Sequence, residues 1–411
     1  MPIITLIAAI LVGLFTFFGF TDFSFPLFSI GMLAAGIAIF VGECLLYSLT
    51  LSPLATLEEN TIPHLMRIVR RNFLSHMGNF LLFLFVFISI VGSSFLSVIQ
   101  DPQLKHGLML GWIVFFGFAL DLLRNEWNHF TNLLNPSYLV RSISQMALHA
   151  VQNDEDEEVR NQLDNLTEIC LRSIEKNKLA LGTETVQTFP PIIHAFLGSA
   201  KSIAHSIQDV AKEEGKGKDQ SSYMNFYLIP RLEMIFNRAL DHGAEPICRH
   251  VVMAMGKIIM YCAQFDLSLV SFPVHFLTKF ALTAQHHHVD EEALLTTSTL
   301  VEIAKRIISD IDITYAELEE PYRSIITGLD AIAKGTFKKR KEGSISLLIQ
   351  PLEEIKSLFQ TEKMAQHRDT PVILQEIDSL LEEYRVLEEV MSTLPSFSSE
   401  TPKQEADADS E

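Results

Sequence analysis

The sequence predicts an all-α protein: a four-helix transmembrane domain followed by a large cytosolic helical domain. The second part reads as an irregular α-solenoid of stacked helical hairpins, with a closed helical bundle as the alternative. Three observations predict this. Four apolar stretches fall near residues 3–20, 26–48, 79–98 and 107–123. No stretch alternates with the period of two that marks a half-buried strand. The formal charge of −18 is unevenly placed, because residues 1–136 hold seven acids and five bases and the rest of the deficit lies beyond them.

The first element, 3–20, has no basic residue before it and no small-residue cleavage site ahead of Thr21-Asp22, so it reads as a span and not a signal peptide. Stretches of about 17–23 residues at about 1.5 Å per residue cover most of a hydrocarbon core of about 30 Å. Orientation follows the short-loop cations. Arg67, Arg70 and Arg71 mark loop 51–78, and Arg124 and Arg141 follow the fourth span, while 21–25 carries no cation and 99–106 only Lys105. The expected topology therefore places both termini in the cytosol, with the spans in the cell membrane. Loop 51–78 is expected to form a short amphipathic surface helix whose three arginines sit among lipid headgroups.

Two features inside the spans draw attention. Small residues at Gly31 and Ala35, and at Gly107 and Gly111, have the four-residue spacing that lets helices approach in lipid, within the chain or between copies. Glu43 lies in the second span, where an unpaired carboxylate costs several kcal/mol. It is an intramembrane site candidate, or else it reaches the headgroups or a neighbouring helix. Asp121 lies nearer a boundary.

From Asn135-Pro136 onward, across 137–394, the pattern is helical. Helices are expected near 137–150, 154–174 (opened by the acids Asp154 to Glu158, with Val159, Leu163, Leu166, Cys170, Ile174), 193–210, 223–241, 245–265, 268–284, 291–310 and 313–335. A polar stretch at 212–222 reads as a flexible linker. In the last helix Ile373, Ile377, Leu380, Tyr384 and Leu387 alternate spacings of four and three, a coiled-coil heptad seam. It can close an internal hairpin or meet a partner or second copy. Residues 395–411 are polar, acidic and expected to be disordered.

No HExxH, G-x-S-x-G, Walker A or dinucleotide fingerprint occurs, so the sequence predicts no enzyme, no cofactor and no metal. His286-His287-His288 with Asp290, Glu291 and Glu292 comes nearest to a metal site, but consecutive residues do not converge easily on one ion. Lys338-Lys339-Arg340-Lys341 is the one concentrated basic run and reads as a solvated loop. The four cysteines form no CxxC and read as reduced and buried. The acidic charge opposes binding to phosphate backbones, so no nucleic-acid partner is expected. The functional expectation is an integral membrane protein whose cytosolic domain is a scaffold for a protein with a basic surface. The alternative is an oligomeric channel or transporter, with Glu43 on its path and a regulatory cytosolic domain.

Overall fold

The computed structural model describes residues 3–17, 25–60, 73–208, 219–314, 316–339 and 346–393. Among the described residues every regular element is helical, with no strand. The chain divides into two compact units, 1–192 and 193–411. The division falls inside a helix, between residues 192 and 193.

The first unit contains α1 (Ile3–Phe17), α2 (Phe25–Asn60), α3 (Phe73–Val98), α4 (Pro102–Leu133), α5 (Pro136–Gln152), α6 (Asp156–Glu175) and α7 (Leu179–Gln187). Two starts are set by local chemistry. Asp101 accepts the Gln103 N–H at 2.9 Å ahead of Pro102, and Asn135 accepts the Ser137 N–H at 3.1 Å ahead of Pro136. Each side chain satisfies a donor that has no partner within its helix, and proline fits a first turn that lacks one.

Contacts along α1–α4 show their directions alternating. Gly36 of α2 lies against Ser89 of α3, and Gly92 against Met32. The Trp112 indole N–H of α4 donates to Ser89 Oγ at 3.0 Å, while Leu96 clusters with Met109. Ala8 of α1 lies against Gly117. The interior is aromatic: Phe85, fully buried, meets Trp112, Phe115 and Phe116 at 5.3–5.9 Å. Large apolar side chains also point outward, among them Leu6, Ile30, Phe80, Phe87 and Phe95.

Among the described residues three helices are long and apolar enough to cross a membrane: Leu27–Glu59, Pro102–Leu133 and Leu267–His286. This corrects the expected set of four. The second and fourth expected spans are among the three. The first and third supply shorter apolar helices, Ile3–Val12 and Phe80–Leu96. These apolar windows lie within α1, of 15 residues, and α3, of 26 residues. The third candidate, Leu267–His286, lies in the second unit. A further correction concerns the loop expected at 51–78. Its first ten residues, 51–60, continue α2, which runs unbroken for 36 residues through Pro53.

After α8 (Phe189–Gln208), which crosses the division, the second unit contains α9 (Asp219–Asp241), α10 (Glu245–Phe265), a 3-10 turn (Leu267–Leu269) and α11 (Ser271–His286). Next come α12 (Asp290–Asp310), α13 (Glu319–Lys339), α14 (Ser346–Phe359), one-turn α15 (Glu362–Ala365) and α16 (Thr370–Thr393). The helix α9 thus takes in 219–222, the end of the expected linker; 212–218 lie outside the described residues, as do 395–411. From α9 to α12 each helix packs on the next and the next but one, and α16 packs on α13 and α14.

Four turns share one construction. Asp154, Asn177, Gly243 and His288 have φ of 56°, 55°, 65° and 63°. The following N–H bonds the carbonyl five residues back: Glu155 to Ala150, Lys178 to Ser173, Ala244 to Ala239, and Val289 to Ala284, at 2.7–2.9 Å. This left-handed stop satisfies otherwise unpaired helix carbonyls, and the next helix begins within two residues. Asp, Asn, Gly and His at equivalent positions hide the repeat from a reading of residue identities.

Candidate functional site

Five of the predicted site residues, Glu43, Gly31, Ala35, Gly107 and Gly111, lie on α2 and α4. Glu43 is half-buried on α2 and makes no hydrogen bond or ion pair among the described residues. Its neighbour Gly42 lies 3.4 Å (as a built Cβ) from Leu123, so this turn faces α4. Below it Tyr47 meets Phe130 edge-on at 5.4 Å. At a similar level α4 carries Glu126, 4% exposed, a buried acid that is not among the predicted site residues.

Asp121 has a structural task. Its carboxylate accepts the Ile4 N–H at 3.2 Å, the Thr5 N–H at 2.7 Å and the Thr5 hydroxyl at 2.7 Å. These donors belong to the first turn of α1, whose N–H groups have no partner within the helix, and the carboxylate also suits the positive end of the helix dipole. Four residues earlier, Gly117 lets α1 approach. A Cβ there would lie 2.8 Å from Ala8 Cβ and 3.2 Å from Ile4 O.

Three of the predicted small residues meet no other helix of this chain. Gly31, Gly107 and Gly111 have nothing within 4 Å of a built Cβ, and Ala35 is half-buried. The three glycines are therefore not crossing points within this chain; Gly36 and Gly117 are. Gly107 and Gly111 instead line an apolar groove of about 510 Å³ with Met32, Gly92, Phe95 and Trp112. Arg67, Arg70 and Arg71 lie outside the described residues, and Lys338–Lys341 have no described side chains.

Beyond the expected second span, the end of α2 is held by α6. The Arg172 guanidinium donates to Glu58 O at 2.8 Å and Glu59 O at 3.2 Å, and to Glu168 Oε1 at 2.6 Å. An arginine thus caps carbonyls at the negative end of that helix.

The heptad seam lies largely inside the chain. Ile373, Ile377 and Tyr384 are buried together with Leu352, Ile355 and Phe359 of α14. The Tyr384 hydroxyl donates to Asp330 of α13 at 2.7 Å, and Lys356 pairs with Asp378 at 2.6 Å. Leu380 and Leu387 stay half-exposed, while Leu381 takes the buried place.

Among the described residues no group of three or more His, Cys, Asp or Glu side chains could hold a metal ion. His288 supplies the left-handed turn between α11 and α12. Three cysteines are buried and free; Cys44 is exposed, contrary to the expected burial, because it faces outward from α2. Burial pushes the Cys170 and Cys248 thiols up to about 12, which leaves them poor nucleophiles.

The fold thus defines a class: an all-helical protein with helices long and apolar enough to cross a membrane. No protein-family model, curated protein or solved structure matches the chain.

Proposed function

We propose that this chain is a membrane-tethered scaffold. Helices α1–α4 form a four-helix membrane bundle with both termini in the cytosol. The helical remainder, ending in an irregular solenoid over α9–α16, binds a protein with a basic surface. The packing of each helix from α9 to α12 on the next and the next but one carries this reading. That is how stacked hairpins build a continuous core and an extended binding face. The excess of acids beyond residue 136 supports a basic partner, whose encounter it would steer. The outward apolar side chains and alternating directions of α1–α4 support the bundle. On this reading Leu267–His286 is a core helix: half of its most apolar window is buried inside the protein, against 22% and 17% for the α2 and α4 candidates.

Crosslinking of the full-length chain in native membranes, followed by mass spectrometry, tests the proposal. The expected product joins one different protein, in near-stoichiometric amount, to residues of 219–393. Its yield falls as salt rises, because exposed charge pairs are screened. Crosslinks confined to copies of this chain would overturn the scaffold.

A second reading, an oligomeric channel or transporter, is favoured by the half-buried Glu43 without a partner among the described residues. It requires a fixed homo-oligomer and a flux that Glu43→Gln alters; unchanged flux removes Glu43 from that mechanism.

A further inference from the structure

Glu292 stands apart from every other acid described in the second unit. It is the third residue of α12 and is 1% exposed. Neither of its carboxylate oxygens has a hydrogen-bond partner. An ionised carboxylate enclosed without a donor costs several kcal/mol, whereas the neutral acid escapes most of that penalty.

The charged and titratable groups facing it, among the described residues, come from two helices. On its own helix there is Glu291; on α10 there are Glu245, Cys248 and Arg249. Two of these are acids. Arg249 is the one cation, and its guanidinium is engaged by Glu291 Oε2 at 2.9 Å. Cys248 is fully buried, with Sγ turned to Phe236 O at 3.9 Å. Burial holds the Glu292 carboxyl above the usual glutamate range; its own backbone N–H opposes this, as does Arg249, while Glu245 and Glu291 push the same way as burial.

We propose that the contact between α10 and the first turn of α12 is a proton-controlled joint, closed while Glu292 is the neutral acid and loosened when it ionises. The sign follows from linkage. The folded state holds this proton more tightly than the unfolded chain does. The stabilisation is therefore full below the ordinary glutamate value of 4.5 and is lost as pH rises through the higher folded value. The joint sits inside the stacked helices and operates whether or not the scaffold proposal holds. Cys248 is a built-in reporter, since its thiol is shielded only while the joint is closed.

The test uses the full-length protein in lipid nanodiscs. Hydrogen exchange over 245–252 and 290–297, and alkylation of Cys248 relative to the same reaction in the Glu292→Gln protein, are followed from pH 5 to 8. In wild type the local opening constant is expected to rise with pH, by at most about tenfold per unit, the limit for one linked proton. In Glu292→Gln it stays flat at the low-pH value. In Glu245→Gln, which removes a like charge, the rise ends at a lower pH. A wild-type opening constant independent of pH, or the same rise in Glu292→Gln, overturns the proposal. Should Glu292→Gln fail to fold, the Glu245→Gln profile decides: a curve identical to wild type sinks the idea.

Discussion

The seating of α1 on α4 rests on two devices four residues apart, and they can be broken separately. Asp121 makes three hydrogen bonds to the first turn of α1. Interhelical hydrogen bonds in membrane proteins average about 0.6 kcal/mol each, so Asp121→Ala is expected to cost about 2 kcal/mol. Gly117→Ala places a methyl carbon 2.8 Å from Ala8 Cβ and 3.2 Å from Ile4 O and Thr5 Cα. These are backbone or near-backbone atoms that cannot rotate aside, and overpacking of this kind costs about 1–3 kcal/mol. Both changes release the same helix, so the double variant should cost less than the two single costs combined. Gly111→Ala is the control. With nothing within 4 Å, it should leave stability unchanged or raise it by up to about 1 kcal/mol through better helix propensity. The assay is hydrogen exchange of Ile3–Val12 in nanodiscs. A loss of 2 kcal/mol raises local opening about 30-fold, since each 1.4 kcal/mol is tenfold. The reasoning fails if Gly111→Ala loosens α1 as much as Gly117→Ala does, or if the two single costs add without coupling.

Two further predictions concern the second unit. Asp369 is buried, which alone would raise its carboxyl, but the Leu318 N–H at 2.8 Å and the Arg368 guanidinium at 3.0 Å hold it below the usual range. Its contribution is present above the ordinary value of 3.8 and is lost as pH falls through the lower folded value. Asp369→Asn should therefore cost about 1–3 kcal/mol at pH 7 and progressively less in acid, and equal melting temperatures at pH 7 would count against this. Gln285, 3% exposed, donates from Nε2 to Ile332 O at 2.9 Å and Thr336 Oγ1 at 2.7 Å, while a Cβ on Gly335 would overlap its amide oxygen. Gly335→Ala should be markedly less harmful in a Gln285→Ala background than in wild type, by about 1–3 kcal/mol in chemical denaturation; equal costs would refute the clash.

Helix existence was legible almost throughout, because apolar spacing and proline-marked starts such as Asp101-Pro102 and Asn135-Pro136 act locally. The interior of the last helix was legible for the same reason: Ile373, Ile377 and Tyr384 are buried. Contacts set by tertiary geometry were not. Gly111 and Gly117 are the same residue on the same helix, and only the position of α1 decides that one is a crossing point and the other lines a groove. The shared left-handed turns were hidden because four different residues occupy them. In the sequence Glu292 is one of three acids beside three histidines, a group not expected to hold a metal. Its surroundings include Glu245, Cys248 and Arg249 of α10, each more than forty residues earlier in the chain.

Hydropathy alone treats α2, α4 and α11 alike, and what their apolar faces meet separates them. Val274, Leu277, Phe280, Ala281 and Ala284 of α11 are buried, in a helix that packs on α9, α10, α12 and α13. Leu27, Ile30, Leu45 and Leu49 of α2 remain exposed. At about 1.5 Å per residue the 36 residues of α2 extend about 54 Å, some 24 Å more than a hydrocarbon core. Under the membrane reading, that excess carries the helix out of the bilayer to where Arg172 grips the carbonyls of Glu58 and Glu59. The guanidinium is itself fixed by Glu168, one turn away on α6. A rotation or axial shift of α2 in the membrane must therefore break these bonds or move α6 with it. Arg172→Ala leaves α2 intact and removes that connection. It is expected to raise hydrogen exchange in α6 while leaving 27–48 unchanged. Equal protection of α6 in both proteins would show that the two helices are joined by something other than this arginine.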